Sequence, residues 1–178
     1  IMNKKIAVLL AALMLICSGI AMAEEVDPSD LGDDVIDGAE MQLGGIRIGM
    51  ESSEVEELLG APAEHFTTER QPVPNIILVA ELTYVYGTGL RIDFDGRYVT
   101  RLRTGEPGIP TAAGIEVGDT VEKMQSVYGQ GVRSSDNGTV TFEYYNMYPY
   151  EDVYFFNMEF TTKDGVITEI VISEPKVY

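Results

Sequence analysis

The chain is poor in the residues on which most catalytic and metal sites depend. Its 178 residues include one cysteine, one histidine and no tryptophan. Cys17 lies in the apolar amino-terminal segment, so a chain cleaved after that segment has no disulfide and no thiolate. Zinc needs several ligands of these types, and nothing in the sequence places an acid and a serine beside His65. We therefore predict a protein that is not an enzyme and that has no metal site and no cofactor.

Positive charge is scarce as well. Lysine and arginine together number 12, against 29 aspartates and glutamates, which makes the formal net charge −17. Removal of Lys4 and Lys5 with the first 23 residues would change it to −19. The field of such a protein repels phosphate backbones and anionic lipid surfaces. Nucleic acid and anionic membranes are therefore disfavoured as partners.

Residues 1–23 have the three-part layout of a secretory signal peptide. A short basic region precedes the almost wholly apolar run 6–16, and Ala21-Met22-Ala23 forms a small-residue cleavage site. The apolar run is short for a membrane span. We expect export to the periplasm or the extracellular space, with no stable membrane anchor after cleavage. A retained anchor and lipid attachment at Cys17 are the alternatives, although Ile16 stands where lipid-attachment signals need a small residue.

Residues 24–44 form a distinct acidic segment. They hold eight acidic residues between Glu24 and Glu40, and no lysine or arginine. Proline, several glycines and few aromatics predict a flexible acidic tail. A calcium loop is not indicated, because Leu31 and Gly38 fall where an EF-hand needs oxygen ligands.

One stretch of the chain occurs twice. Residues Gly45–Gly60 and Gly114–Gly129 are offset by 69 residues and match in their first, fifth and last glycines. Asp95-Gly96 and Asp164-Gly165 keep the same offset further along. A period of this length predicts two similar structural units.

Each copy contains a short segment with helical periodicity. The first copy has Val55, Leu58 and Leu59 as its apolar stripe and Ser52 as the candidate N-cap. The stripe of the second copy comprises Val121, Met124, Val127 and Tyr128, with Thr120 as the candidate N-cap. Helices this short are unstable alone, so we expect each to pack on a sheet.

Alternating and β-rich segments follow each helix. The predicted strands are Asn75–Tyr86, Leu90–Phe94, Val99–Thr104, Val140–Tyr145, Val153–Phe160 and Val166–Ile172. We therefore predict an α+β fold of two tandem repeats, each a short helix packed on an antiparallel sheet of three or four strands. The repeats would span residues 45–104 and 114–178, joined by a linker at 105–113. Whether the two sheets join edge to edge is left open by the sequence.

This arrangement resembles a known family. The residues that carry the resemblance are Gly49-Met50, Val55, Leu58-Leu59-Gly60, Pro62, Tyr84-x-Tyr86 and Phe94-x-Gly96. They are similar to the small module of the outer-membrane assembly lipoprotein BamE (the SmpA/OmlA family), and two such modules in tandem resemble the β-lactamase inhibitory proteins. The resemblance implies the fold, and no binding residue of either family is carried over to this sequence.

Two groups of residues are candidates for binding. Arg91, Arg101 and Arg103 lie in a 13-residue window, and strand pairing would bring them to one outward face. The other interpretation is a solvated strand face with partners such as Asp93. A further hypothesis is that this patch docks the acidic tail or an anionic partner that competes with it.

The second group consists of tyrosines. Tyr145, Tyr148 and Tyr150 surround a proline turn, where burial of all three rings would be difficult. Tyrosine offers a large rigid contact area with a polar tip and is favoured at protein interfaces. A purely structural role is the competing interpretation. With the arginines, these residues predict a non-enzymatic module that binds another protein of the envelope or the extracellular space. The alternatives are an envelope-assembly or structural accessory protein, and a hydrolase that uses carboxylates.

Overall fold

Eight antiparallel strands form one continuous sheet in the computed structural model. The structure describes residues 36–68, 81–147 and 155–174, which lie within one compact unit that begins at Asp33. The predicted signal peptide and most of the predicted acidic tail lie outside the described residues. The last part of that predicted tail, 36–44, is described, and Met41 and Leu43 within it are buried in the core.

The elements follow one another along the chain as short strands and two eight-residue helices. The strands are β1 (Gln42–Leu43), β2 (Ile46–Arg47), β3 (Glu64–Thr68), β4 (Glu81–Val85), β5 (Arg91–Asp95), β6 (Tyr98–Thr104), β7 (Val132–Asp136), β8 (Thr139–Met147), β9 (Phe155–Lys163) and β10 (Val166–Ser173). The helices are α1 (Ser52–Leu59) and α2 (Val121–Tyr128), with a 3₁₀ turn at Gly38–Glu40. The order across the large sheet is β3-β4-β5-β6-β10-β9-β8-β7, and β1 pairs with β2 separately.

The prediction of an α+β fold made of two helix-on-sheet repeats is wrong. The described chain is mostly β, and strands from both halves belong to the same eight-stranded sheet. The halves join where β6 pairs with β10, in a register that runs from Arg101 opposite Ser173 to Thr104 opposite Ile170. An unpaired strand edge leaves backbone N–H and C=O groups without partners, and this pairing satisfies those of β6 and β10. The boundaries predicted for two separate repeats stay a prediction.

The helix starts agree with the sequence analysis in one case and differ in the other. Thr120 caps α2 as predicted, and its side chain accepts a hydrogen bond from the backbone N of Lys123 at 3.2 Å. The first helix begins one residue earlier than predicted, because Glu51 rather than Ser52 is its N-cap. The Glu54 carboxylate reaches back to accept a hydrogen bond from the backbone N of Glu51 at 2.8 Å. This N–H has no partner in the helix backbone, so the side chain satisfies it.

The predicted apolar stripes are only partly buried. Val55 of α1 and Met124 of α2 are fully buried, whereas Leu58 is 61% exposed and Val127 is 45% exposed. A two-turn helix rises about 12 Å. The exposure of Leu58 and Val127 shows that only part of each short helix is in contact with the sheet. On α1 it includes Glu56, whose carboxylate accepts from the Tyr84 hydroxyl at 2.6 Å.

The core lies on one face of the large sheet. On every inner strand, every second side chain points into this core. Examples are Ile92 and Phe94 of β5 and Met158 and Phe160 of β9. Helices α1 and α2 and the β1–β2 hairpin contribute buried side chains to the same cluster. Because successive side chains of a strand point to opposite faces, the residues between these core positions lie on the other face of the sheet.

The two edge strands were not predicted. All five residues of β3 and all five of β7 are exposed, so neither strand shows the alternation of apolar and polar residues that marks a half-buried strand. His65 lies on β3, exposed at this edge. The predicted tight turn before β8 is present, with Asn137 at φ +48° and Gly138 at φ +82°.

Candidate binding face

The face of the sheet opposite the core carries mostly polar and charged side chains. Among the described residues, no helix packs on it. We call this surface the polar face, and its members on the six inner strands include Thr83, Val85, Arg91, Asp93, Arg101, Arg103, Thr141, Glu143, Tyr145, Asn157, Glu159, Thr161, Glu169, Val171 and Ser173. The continuous pairing of strands from both halves of the chain creates this surface.

Five of these residues form a single row across the strands. Along the register, Arg91 pairs with Arg103, Arg103 with Val171, Val171 with Glu159, and Glu159 with Glu143. At about 4.8 Å per strand the row is roughly 19 Å long. We call it the charged row: two positive residues, one apolar residue and two negative residues. It places like charges directly opposite each other twice, an arrangement that is destabilising unless neighbouring charges compensate for it.

The arginine pair has carboxylates beside it. Arg91 Nε lies 3.4 Å from Asp93 Oδ1, and an Nη of Arg103 lies 2.6 Å from Glu169 Oε1. Asp93 also accepts a hydrogen bond from the Thr83 hydroxyl at 2.7 Å, which holds the carboxylate in place. Both arginine side chains remain about half exposed, at 51% and 49%. Ion pairs this exposed are weak, so both guanidinium groups remain accessible to a partner.

The glutamate pair is hydrogen-bonded to neutral groups. The Tyr145 hydroxyl donates to Glu143 Oε2 at 2.5 Å, and Asn157 Nδ2 donates to Glu159 Oε1 at 2.8 Å. Burial, followed by the neighbouring charge of Glu143, raises the pKa of Glu159, and the positive charge of Arg101 opposes this shift. The negative end of the charged row is therefore less well compensated than the positive end.

The centre of the polar face holds two unused hydrogen-bonding atoms. Arg101 Nε and Asn157 Oδ1 are buried and have no hydrogen-bond partner within the described part of the chain. Ser173 lies between them, opposite Arg101 on one side and opposite Asn157 on the other. Buried polar atoms without partners are unfavourable. Because both atoms are buried, a bound group would reach them only if the surrounding side chains moved.

The structure places four of the six predicted binding residues on this face. Arg91, Arg101 and Arg103 share it, as the predicted strand pairing required. Tyr145 lies on it too, in the same row as Arg101 and three strands away, which is about 14 Å. The predicted residues Tyr148 and Tyr150 lie outside the described residues.

The glutamate pair was not predicted from the sequence. Glu143 alternates with Tyr145 on β8, and Glu159 alternates with Asn157 on β9, so each strand shows two polar residues on one face. This alternation was the available signal. It shows which side chains share a face of a strand, but it does not reveal that the two glutamates are direct neighbours.

A shallow depression lies at the turn between β5 and β6. Its volume is about 420 Å³, and the residues that line it are Asp95, Gly96, Arg97, Tyr98, Thr100 and Glu174. Burial, followed by the charge of Asp95, raises the pKa of Glu174. The described residues contain no cluster of three or more histidine, cysteine or acidic side chains arranged to hold a metal ion. They also contain no helix with the length and apolar character needed to span a membrane.

Comparison with known proteins gives few matches. No protein-family model and no curated protein matches this chain. An extracellular protein with an SCP domain from Bacillus anthracis is similar over 71% of this chain, with 8% identity and a TM-score of 0.44; the match spans 43% of that protein. The uncharacterized protein yfeY from Escherichia coli is similar over 75% of this chain and 97% of its own length, with 13% identity and a TM-score of 0.40. Neither similarity is strong enough to indicate a function, and the resemblance to BamE and the β-lactamase inhibitory proteins stays a prediction.

Proposed function

We propose that this chain is an exported, non-enzymatic module that binds another protein through the polar face. The observation that supports the proposal most is the charged row. Its glutamate pair, Glu143 with Glu159, places like charges opposite each other with only neutral hydrogen-bond donors, whereas Asp93 and Glu169 lie beside the pair of Arg91 and Arg103. Arrangements that cost folding free energy are expected mainly at functional surfaces, where a bound partner compensates for them.

The chemistry of the face defines the partner. A suitable protein places a carboxylate near Arg91 and Arg103 and a lysine or arginine near the glutamate pair. The net charge of −17 favours encounter with a basic protein surface. Because we predict from the signal peptide that the chain is exported, we propose a partner in the envelope or outside the cell.

An affinity capture with matched variants tests the proposal. The purified protein is immobilised and exposed to native envelope extract and culture medium, in parallel with the double variant Glu143→Gln/Glu159→Gln. The control variant, Glu57→Gln/Glu122→Gln, removes the same charge from exposed positions on the two helices. We expect the wild type and the control to retain a specific protein that the face variant loses.

Two outcomes would contradict the proposal. If the same protein is retained equally by the face variant and the control, the polar face is not the binding site. If no protein is retained from either fraction, a binding role loses its support. Circular dichroism of each variant shows beforehand that the fold is intact.

A carboxylate-dependent hydrolase is the second candidate, because one specific observation favours it. Glu159 has a raised pKa and lies directly opposite a second carboxylate, Glu143, as acid catalysis by a carboxyl pair requires. A hydrolytic activity with an acidic pH dependence that is lost in both Glu143→Gln and Glu159→Gln would favour this candidate over binding.

A further inference from the structure

We infer that two copies of this chain pair face to face through their polar faces. The inference uses the same surface as the proposed function but does not depend on it, and a partner protein bound there would compete with the second copy. The observation that carries it is the order of charges in the row, which begins with Arg91 and Arg103, passes through Val171 and ends with Glu159 and Glu143. A surface that is positive at one end and negative at the other is complementary to a reversed copy of itself.

The symmetry that satisfies this complementarity follows from the strand order. A two-fold axis parallel to the strands, placed above the boundary between β6 and β10, exchanges β6 with β10, β5 with β9, and β4 with β8. Arg91 then faces Glu159 of the second copy, Arg103 faces Val171, and Glu143 faces Val85. An axis that runs across the strands would instead place each arginine over an arginine. The charge order therefore selects one of the two face-to-face arrangements.

The neighbouring row fits the same operation. It comprises Thr83, Asp93, Arg101, Ser173, Asn157 and Tyr145, one from each inner strand. The axis places Asp93 opposite Asn157 and Thr83 opposite Tyr145. In the first pair a carboxylate faces an amide that can donate a hydrogen bond, and in the second pair two hydroxyls face each other. It also places Arg101 opposite the hydroxyl of Ser173 of the second copy. No like charges meet in either row.

The area of the face is near the lower end of what a specific dimer needs. Eight strands at about 4.8 Å spacing and roughly five residues of strand give a footprint of about 34 by 17 Å. Two copies would therefore bury on the order of 1,100 Å², close to the lower limit for specific interfaces. Repulsion between two molecules of net charge −17 acts against association. We expect a reversible dimer with a Kd in the micromolar range.

Complementary charge variants test the inference. Sedimentation equilibrium is measured at physiological ionic strength for the wild type, for Arg91→Glu/Arg103→Glu and for Glu143→Lys/Glu159→Lys. The wild type is expected to dimerise, and each variant alone is expected to remain monomeric because its row carries one sign of charge. An equimolar mixture of the two variants is expected to form the dimer again, since the opposite charges then face each other across the interface.

Controls separate this interface from loss of fold and from other contacts. Glu57→Lys/Glu122→Lys makes the same charge change on the helices and is expected to dimerise like the wild type. Glu143→Gln/Glu159→Gln relieves repulsion within the chain, so it is expected to stay folded while its Kd rises at least tenfold. Circular dichroism and thermal melting of each variant confirm that it is folded.

The inference is overturned if the wild type stays monomeric up to high micromolar concentration, or if both charge-reversed variants dimerise as well as the wild type. It is also overturned if two folded monomeric variants fail to associate when they are mixed. Capture of an extract protein by a wild type that stays monomeric would leave the proposed function intact while the dimer fails.

Discussion

Replacement of Glu159 by glutamine should stabilise the protein at neutral pH. Glu159 lies directly opposite Glu143 in the sheet, and burial together with that neighbouring charge raises its pKa. Glutamine keeps the volume of the side chain and an acceptor for Asn157 Nδ2, which donates to Glu159 at 2.8 Å. The substitution therefore removes the repulsion and leaves the hydrogen bond. We expect a gain of roughly 0.2–1 kcal/mol in the free energy of unfolding, which raises Tm by up to about 4 °C.

The pH dependence of this gain has a defined sign. A carboxyl whose pKa is raised on folding binds its proton more tightly in the folded state than in the unfolded state. The wild type therefore loses stability as the pH rises from the ordinary glutamate pKa of 4.5 through the raised pKa of Glu159. Glutamine has no proton to lose. The advantage of Glu159→Gln should be small below this window and complete at neutral pH.

Urea unfolding at a series of pH values measures both effects. Glu57→Gln, at an exposed position of α1, is the matched control and should change stability by less than about 0.5 kcal/mol at every pH. Our explanation would be refuted if Glu159→Gln were less stable than the wild type at neutral pH. A gain of the same size at acidic and neutral pH would equally rule out ionisation of Glu159 as its cause.

Three further predictions concern the core and can be checked by urea unfolding. Tyr128→Phe should cost about 1–2 kcal/mol, because it removes a buried hydroxyl that donates a 2.7 Å hydrogen bond in the core; no loss would show that this bond contributes nothing. Gly131→Ala should cost at least 1 kcal/mol more than Gly138→Ala. Both glycines have positive φ, but a Cβ at 131 would lie 2.7 Å from a buried tyrosine ring, whereas the space at 138 is open; equal losses would contradict this. Val55→Ala should cost about 2 kcal/mol, and Leu58→Ala less than about 0.5 kcal/mol, because only the valine is buried; the reverse order would mean that Leu58 rather than Val55 is the buried residue of α1.

Much of the secondary structure could be predicted from local patterns. Glycines and caps marked both helices to within a residue, and the strands that contribute to the core showed alternation of apolar and polar residues. The edge strands β3 and β7 were missed because they bury no side chain, so no apolar period marks them. Helix orientation was predicted less well. Leu58 has the spacing of a buried residue, yet the helix is in contact with the sheet elsewhere.

The arginines of the candidate site could be predicted from the sequence, and its glutamate pair could not. Three arginines in a short window belong to one hairpin, and a local turn connects their strands, so a common face followed from alternation. Glu143 and Glu159 come from strands joined by a longer connection. Their register is set by backbone hydrogen bonds along two nine-residue strands rather than by any local motif.

The sequence by itself determined which side chains could share a face of each strand, where the tight turns lie and how strongly acidic the protein is. These properties depend on neighbours along the chain, through the two-residue period of a strand and the conformational freedom of glycine at positive φ. Only the tertiary structure decided that β6 pairs with β10, which places Arg103 opposite Val171 across 68 residues of sequence. Backbone hydrogen bonds are available to every strand edge and carry little sequence information. For that reason, the charged row became visible only when both halves of the chain were seen in one sheet.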